Sequence, residues 1–220
     1  MADFPVHIAQ AQHNEGLAIF LLDKPFFDWS ITACFYSAIH FFEARLFFDA
    51  NDNSNKHSES SIPAGLDGKF KYSSHSWRAK QIQESYPREA WKAFRSLKEA
   101  SETARYLSHY INIKEKTVHF EKVPSFDIFR IENSKFAVEK DLSSFKNALK
   151  IELLEFLYSL DIITANPIQG PFIVDKILLN FNNKENFLSQ TKESLREYLS
   201  KENADLLVNQ LSLKGHSLKE

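Results

Sequence analysis

Glycine is scarce in this chain, five residues in 220. Glycine-rich phosphate loops and nucleophile elbows are therefore absent, and with them the nucleotide-binding and hydrolase chemistries they serve. So few glycines also leave little material for the tight turns of a β-rich protein. Cysteine occurs once, at Cys34, so no intrachain disulfide can form and a reducing compartment is the default. Between Ala33 and Phe35, that thiol reads as core packing. The histidines show no His-x-x-x-His or other paired ligand spacing, and neither a metal nor a cofactor is expected. Met1-Ala2-Asp3-Phe4-Pro5 lacks a basic stretch and an apolar run, so no secretory leader is expected. The longest apolar stretch is broken by His40, Glu43 and Arg45, which argues against a membrane span. The expectation is a cytoplasmic protein with no membrane partner.

What the chain has in abundance is phenylalanine, twenty residues, which favours large aromatic packing between helices. Everything is organised around residues 28–48, a stretch free of glycine and proline. Asp28 reads as an N-cap, because a carboxylate can accept from the free amides of a first turn. The stretch is apolar nearly all the way round, the mark of a central helix contacted on several sides. Ile31, Cys34, Ala38, Phe41, Phe42 and Phe48 share one broad face; Trp29, Thr32, Tyr36, His40, Glu43 and Phe47 form the other. Tyr36, His40 and Glu43 stand at i, i+4 and i+7, a polar stripe inside an apolar helix. Buried polar groups need partners, so the stripe must meet another helix or a ligand.

Helical spacing predicts a first helix from Pro5 to about Leu22, joined by Lys24-Pro25-Phe26-Phe27 to the central one as an antiparallel hairpin. Asp49–Ser61 and Pro63–Gly68 read as a solvated loop. A third helix starts at Ser74 or Ser76 and runs to Ser85. Pro87 opens a fourth carrying Trp91, Phe94, Leu97, Ser101, Ala104 and Leu107. From Ile111 to about Glu139 the pattern changes: Thr117–Val123 partly alternates, as in extended structure, a small hairpin or an irregular crossover. A long amphipathic helix from Asp141 through Leu142, Phe145, Leu149, Leu153 and Phe156 to Leu160 follows, then helices near Phe172–Phe181, Asn186–Leu199 and Asn203–Leu211 and a frayed tail from Lys214. The expected fold is all-α: a helical bundle over residues 1–110, a connection over 111–140 and a helical C-terminal region over 141–220.

Several elements of the first 110 residues carry a resemblance. They are Asn14 with Ala18, Asp28-Trp29, Phe35-Tyr36-Ser37-Ala38-Ile39-His40, His75-Ser76-Trp77-Arg78 and Ser101-Glu102-Thr103-Ala104-Arg105-Tyr106. In order and spacing they resemble the HEPN family of prokaryotic helical domains. The resemblance implies an antiparallel bundle of four or five helices, homodimerisation, and a link to RNA cleavage, toxin–antitoxin pairs or antiviral defence. Ribonuclease members carry an arginine followed by four to six residues and a histidine. Here the nearest match is Arg105-Tyr106-Leu107-Ser108-His109, with three residues between, an i, i+4 pair that on one helix could meet a single phosphate.

Metal-independent RNA cleavage needs proton transfer near neutrality, which a histidine supplies, and positive charge on the phosphate, which an arginine supplies. Arg105 and His109 are thus the catalytic candidates; their structural alternative is a bridging arginine and a histidine at a helix C-terminus. Tyr36 and His40 are candidate ligand-binding residues, or a hydrogen-bonded pair fixing helix register with Arg78 or Arg105 as partner. His75 and Arg78, at i, i+3, could contact phosphate at a helix start or form a solvated turn. Net charge is −2, yet Lys69–Arg105 holds nine Lys/Arg against four Glu. With Tyr72, Trp77, Tyr86, Trp91 and Tyr106 that segment fits single-stranded nucleic acid, or a wet lysine face over an aromatic core. Two functions stand: an HEPN-like RNA-binding or ribonuclease module acting as a homodimer, or an inactive helical module whose C-terminal region binds a partner protein.

Overall fold

The computed structural model describes residues 4–48, 62, 73–105, 108–114, 117–123 and 125–219, the 108–123 segment by its backbone. The chain divides into two compact units, Met1–Ala44 with Ser58–Leu149, and Arg45–His57 with Lys150–Glu220. No helix among the described residues is long and apolar enough to cross a membrane. The loop expected over Asp49–Ser61 and Pro63–Gly68 lies, Ile62 aside, outside the described residues.

In the first unit, helices α1 (Phe4–Leu22) and α2 (Phe27–Leu46) pair through small residues seven apart. Ala11 and Ala18 have no exposed surface, and without bulk there the α2 backbone comes close. Buried Ser30 Oγ donates to the Ala18 carbonyl at 2.8 Å, and buried Ser37 Oγ to the Ala11 carbonyl, also at 2.8 Å. One partner steps forward as the other steps back, so the two bonds fix an antiparallel register. Asp28 sits inside the first turn of α2 rather than capping it: its carboxylate accepts from the Trp29 amide at 2.9 Å, while Phe26 supplies the first carbonyl.

Helix α3 (Ser74–Ser85) is capped by Ser73, whose hydroxyl accepts from the Ser76 amide. Helix α4 (Arg88–Arg105) buries Ala90, Ala93, Phe94, Leu97, Ser101 and Ala104 along one stripe, the three-to-four spacing the sequence predicts. Strands β1 (Ser108–Lys114) and β2 (Thr117–Val123) follow as an antiparallel hairpin in which His109 faces Lys122 in register. The chain is otherwise helical where described. A short turn, α5 (Ser125–Ile128), precedes a rod made of α6 (Ile131–Phe136), a π-helical segment (Ala137–Leu142) and α7 (Ser143–Ala148). Phe145 of α7 stacks on Phe94, which stacks on Phe35 of α2, each at 5.6 Å between ring centres. That aromatic column ties α7 to the first unit, so the compact division falls at Leu149/Lys150 rather than at residues 110 and 140.

The long helix expected from Asp141 to Leu160 is broken. Lys150 adopts a left-handed backbone, φ 57° and ψ 41°, ending one helix before α8 (Ile151–Ser159) begins. In the second unit α8 is followed by α9 (Ile162–Ala165), α10 (Gly170–Asn180), α11 (Lys184–Leu188), α12 (Lys192–Leu195) and α13 (Lys201–Leu213). Residues 186–199 thus form two short helices' worth of chain instead of one helix. A Cβ on Gly170 would lie 2.6 Å from the Ile163 Cα, so only glycine lets α10 start this close to α9. Arg45 and Asp175 make a buried ion pair at 3.6 Å. The tail folds back instead of fraying: the Lys219 amide donates to the Leu188 and Gln190 carbonyls.

Cys34 is fully buried in α2. Burial first, then the negative charges of Glu15 and Asp141, pushes its thiol up to about 12. Only a thiolate attacks, so the native protein is expected to resist a disulfide reagent at about pH 8 while the urea-unfolded chain reacts in full. Rapid labelling of the native thiol would contradict that burial.

Candidate functional site

The polar stripe of α2 meets three different partners. Arg105 Nη1 donates to Tyr36 Oη at 3.1 Å, while its Nε donates to the Ser101 carbonyl one turn back. The Nδ1 atoms of His40 and His7 stand 3.1 Å apart, so one ring donates and the other accepts. Glu43 Oε1 accepts from Arg78 Nε at 2.6 Å, with both residues buried. Arg78 and Arg105, the two arginines the stripe could have used, are both engaged by it.

These pairings separate the candidate residues. Tyr36, His75 and Arg105 come together around Phe35. The His75 ring centre is 5.3 Å from that of Phe35 and 6.1 Å from that of Tyr36. The Arg105 guanidinium lies over the same two rings, 5.8 Å and 5.7 Å from their centres. His40 is drawn toward α1 by His7, and Arg78 toward Glu43. His109 is the correction. Helix α4 ends at Arg105 and His109 stands in β1, so the pair does not share a helix face. Tyr110, Ile111 and Ile113 are aromatic or β-branched residues that favour the strand over a continued helix.

The sequence reading missed Phe35 as the common floor of this cluster, and Lys98. Lys98 stands seven residues before Arg105, two turns back on the same face of α4, and pairs with Glu102 at 2.8 Å. His75 feels both cations. Its imidazole is held below its ordinary value of 6.5 by burial first, then by Arg78, Arg105 and Lys98, against a weaker opposite pull from Glu102.

That direction predicts a pH dependence. A histidine with a folded pKa below its unfolded one binds its proton more tightly when unfolded, so stability is intact above about pH 6.5 and falls as pH drops through that value toward the folded pKa. The urea midpoint is expected to fall less between pH 7 and pH 5 in His75→Gln than in wild type; identical profiles would contradict the assignment.

Among the described residues no group of three or more His, Cys, Asp or Glu side chains is placed to hold a metal ion. A second feature of the first unit is a groove of about 680 Å³ lined in part by Phe26, Trp29, Phe126 and Arg130. Phe26, Trp29 and Phe126 are each more than half exposed. No family model, curated protein or solved structure matches the chain. Fold and site together describe a helix-rich chain of two units with a cationic, aromatic-floored cluster in the first.

Proposed function

We propose that the first unit is an HEPN-like RNA-binding module of a prokaryotic defence or toxin–antitoxin system, acting as a cytoplasmic homodimer, in which Arg105 holds a phosphodiester of the RNA. The observation that carries this reading is the convergence of Arg105, Tyr36 and His75 on Phe35. A guanidinium presents forked donors that match phosphate oxygens, and a hydroxyl and an imidazole beside it add directional hydrogen bonds. The basic balance of residues 69–105 supplies the long-range attraction that a polyanion needs. Metal-independent cleavage is the chemistry of the family's ribonucleases; with His109 on a strand, the reading rests on binding.

Binding of a fluorescently labelled single-stranded oligoribonucleotide is the test. Arg105→Ala is expected to weaken it about tenfold or more, the loss of a charge-assisted hydrogen bond, while the circular dichroism spectrum is kept. Equal affinity in the variant would overturn the assignment of Arg105. The exposed Phe26, Trp29 and Phe126 around their groove favour a second reading, a helical protein-interaction module. On that reading Trp29→Ser with Phe126→Ser abolishes partner binding, and RNA affinity is negligible in wild type.

A further inference from the structure

His75 lies in the first turn of α3, just after its Ser73 cap. Its Nδ1 is shut off from water and has no hydrogen-bond partner. The residue is only half-buried, and its Nε2 is not among the enclosed side-chain atoms that lack a partner. A proton on Nδ1 would be an enclosed donor with nothing to donate to, a loss far greater than that of an unused lone pair. The neutral ring therefore carries its proton on Nε2. The imidazolium is disfavoured by burial first, which would enclose its orphaned Nδ1–H, and then by the charges around it. Those that reach the ring are Arg78 on its own helix and Lys98 and Arg105 on α4, with Glu102 opposing; Tyr36 of α2 faces it as a neutral hydroxyl-bearing ring.

This arrangement is poor for a general base. To accept a proton at Nε2, His75 would need its lone pair there and its proton on the enclosed Nδ1. In a site that activates a hydroxyl, the far nitrogen is anchored by an acceptor, and here it has none. The same arrangement suits an anion. The ring that carries the Nε2–H packs on Phe35 and Tyr36, the same two rings that the Arg105 guanidinium lies over, and a phosphate there would offset the local positive charge.

We infer that the Tyr36–His75–Arg105 cluster is a phosphate-binding subsite in which neutral His75 donates from Nε2 while Arg105 supplies the charge, so that RNA is held there without being cleaved. The inference deepens the RNA-binding reading and rests on it for the identity of the phosphodiester.

Glutamine places an amide N–H near the position of Nε2 and cannot act as a base, so it separates donation from proton transfer. His75→Ala is expected to weaken oligoribonucleotide binding about tenfold, and His75→Gln to stay within about threefold of wild type. Wild type is expected to leave the RNA intact in EDTA. Gln as weak as Ala, or EDTA-resistant cleavage lost in His75→Gln, would overturn the inference. Nitrogen-15 spectra of the native histidines give a readout that a merely structural role would not move. The expected result is a proton on Nε2, titration below pH 6.5 and an upward move of that titration when inorganic phosphate is added. A proton on Nδ1, or no response to phosphate, would overturn it. If phosphate moves His75 but RNA does not bind, the subsite stands and the RNA reading fails. If RNA binds through Arg105 with the His75 signal unmoved, the RNA reading stands and this inference fails.

Discussion

Replacing Glu43 by Ala is expected to destabilise the first unit by about 3–5 kcal/mol, because it takes away the carboxylate that neutralises the buried guanidinium of Arg78. Glu43 and Arg78 are 2% and 4% exposed, so neither water nor counter-ions can take over the lost pairing. Two charges that were tolerable together become one that is not. Removing both, as in Glu43→Met with Arg78→Met, is expected to recover most of the loss, since an apolar pair of similar bulk needs no solvation. The measurement is convenient: Trp29, Trp77 and Trp91 are the only tryptophans and all belong to the first unit, so their fluorescence in urea reports that unit alone. A Glu43→Ala midpoint within about 1 kcal/mol of wild type would mean that Arg78 is solvated and the pair is not structural.

Phe94→Ala is expected to cost about 3–5 kcal/mol by the same fluorescence measurement. Its ring has no exposed surface and stands in the middle of the Phe35–Phe94–Phe145 column that joins α2, α4 and α7. Truncation leaves a cavity whose walls belong to three helices, and their hydrogen-bonded backbones cannot all close on it. The effect should reach function as well. Phe35 is the floor on which Arg105 and His75 rest, so RNA affinity is expected to fall in Phe94→Ala at temperatures where the variant is still folded. A loss under about 1 kcal/mol would show that the column is not a close-packed unit.

The helices of the first unit were legible because their signals are local and redundant. The α1–α2 hairpin follows from periodicity and a short connection, and the serines from Ser74 onward and Pro87 mark the two helices after it, although the cap itself is Ser73. The partners of the α2 stripe were half legible. Arg78 or Arg105 was expected beside Tyr36 and His40, yet periodicity cannot say which arginine goes to which acceptor: Arg105 meets Tyr36, while Arg78 meets Glu43. The break at Lys150 left no trace, because a left-handed lysine has no Gly, Asn or Pro to mark it and the Leu149–Leu153 spacing reads straight through. What holds it lies far away in sequence: the Lys150 ammonium donates to the Leu178 carbonyl. His109 was misplaced for a related reason, since Arg105 and His109 fit a helix and the residues that favour a strand, Tyr110, Ile111 and Ile113, come only after it. The functional cluster is the least legible part, for it is assembled from α2, α3 and α4 by packing alone.

The salt dependence of oligoribonucleotide binding tests the central claim, that Arg105 holds a phosphate, most directly. The account predicts that affinity falls with salt for wild type, and that the slope of log affinity against log salt is shallower in Arg105→Ala by about 0.7, one phosphate contact on a single strand. Parallel slopes, or no binding even at low salt, would contradict it.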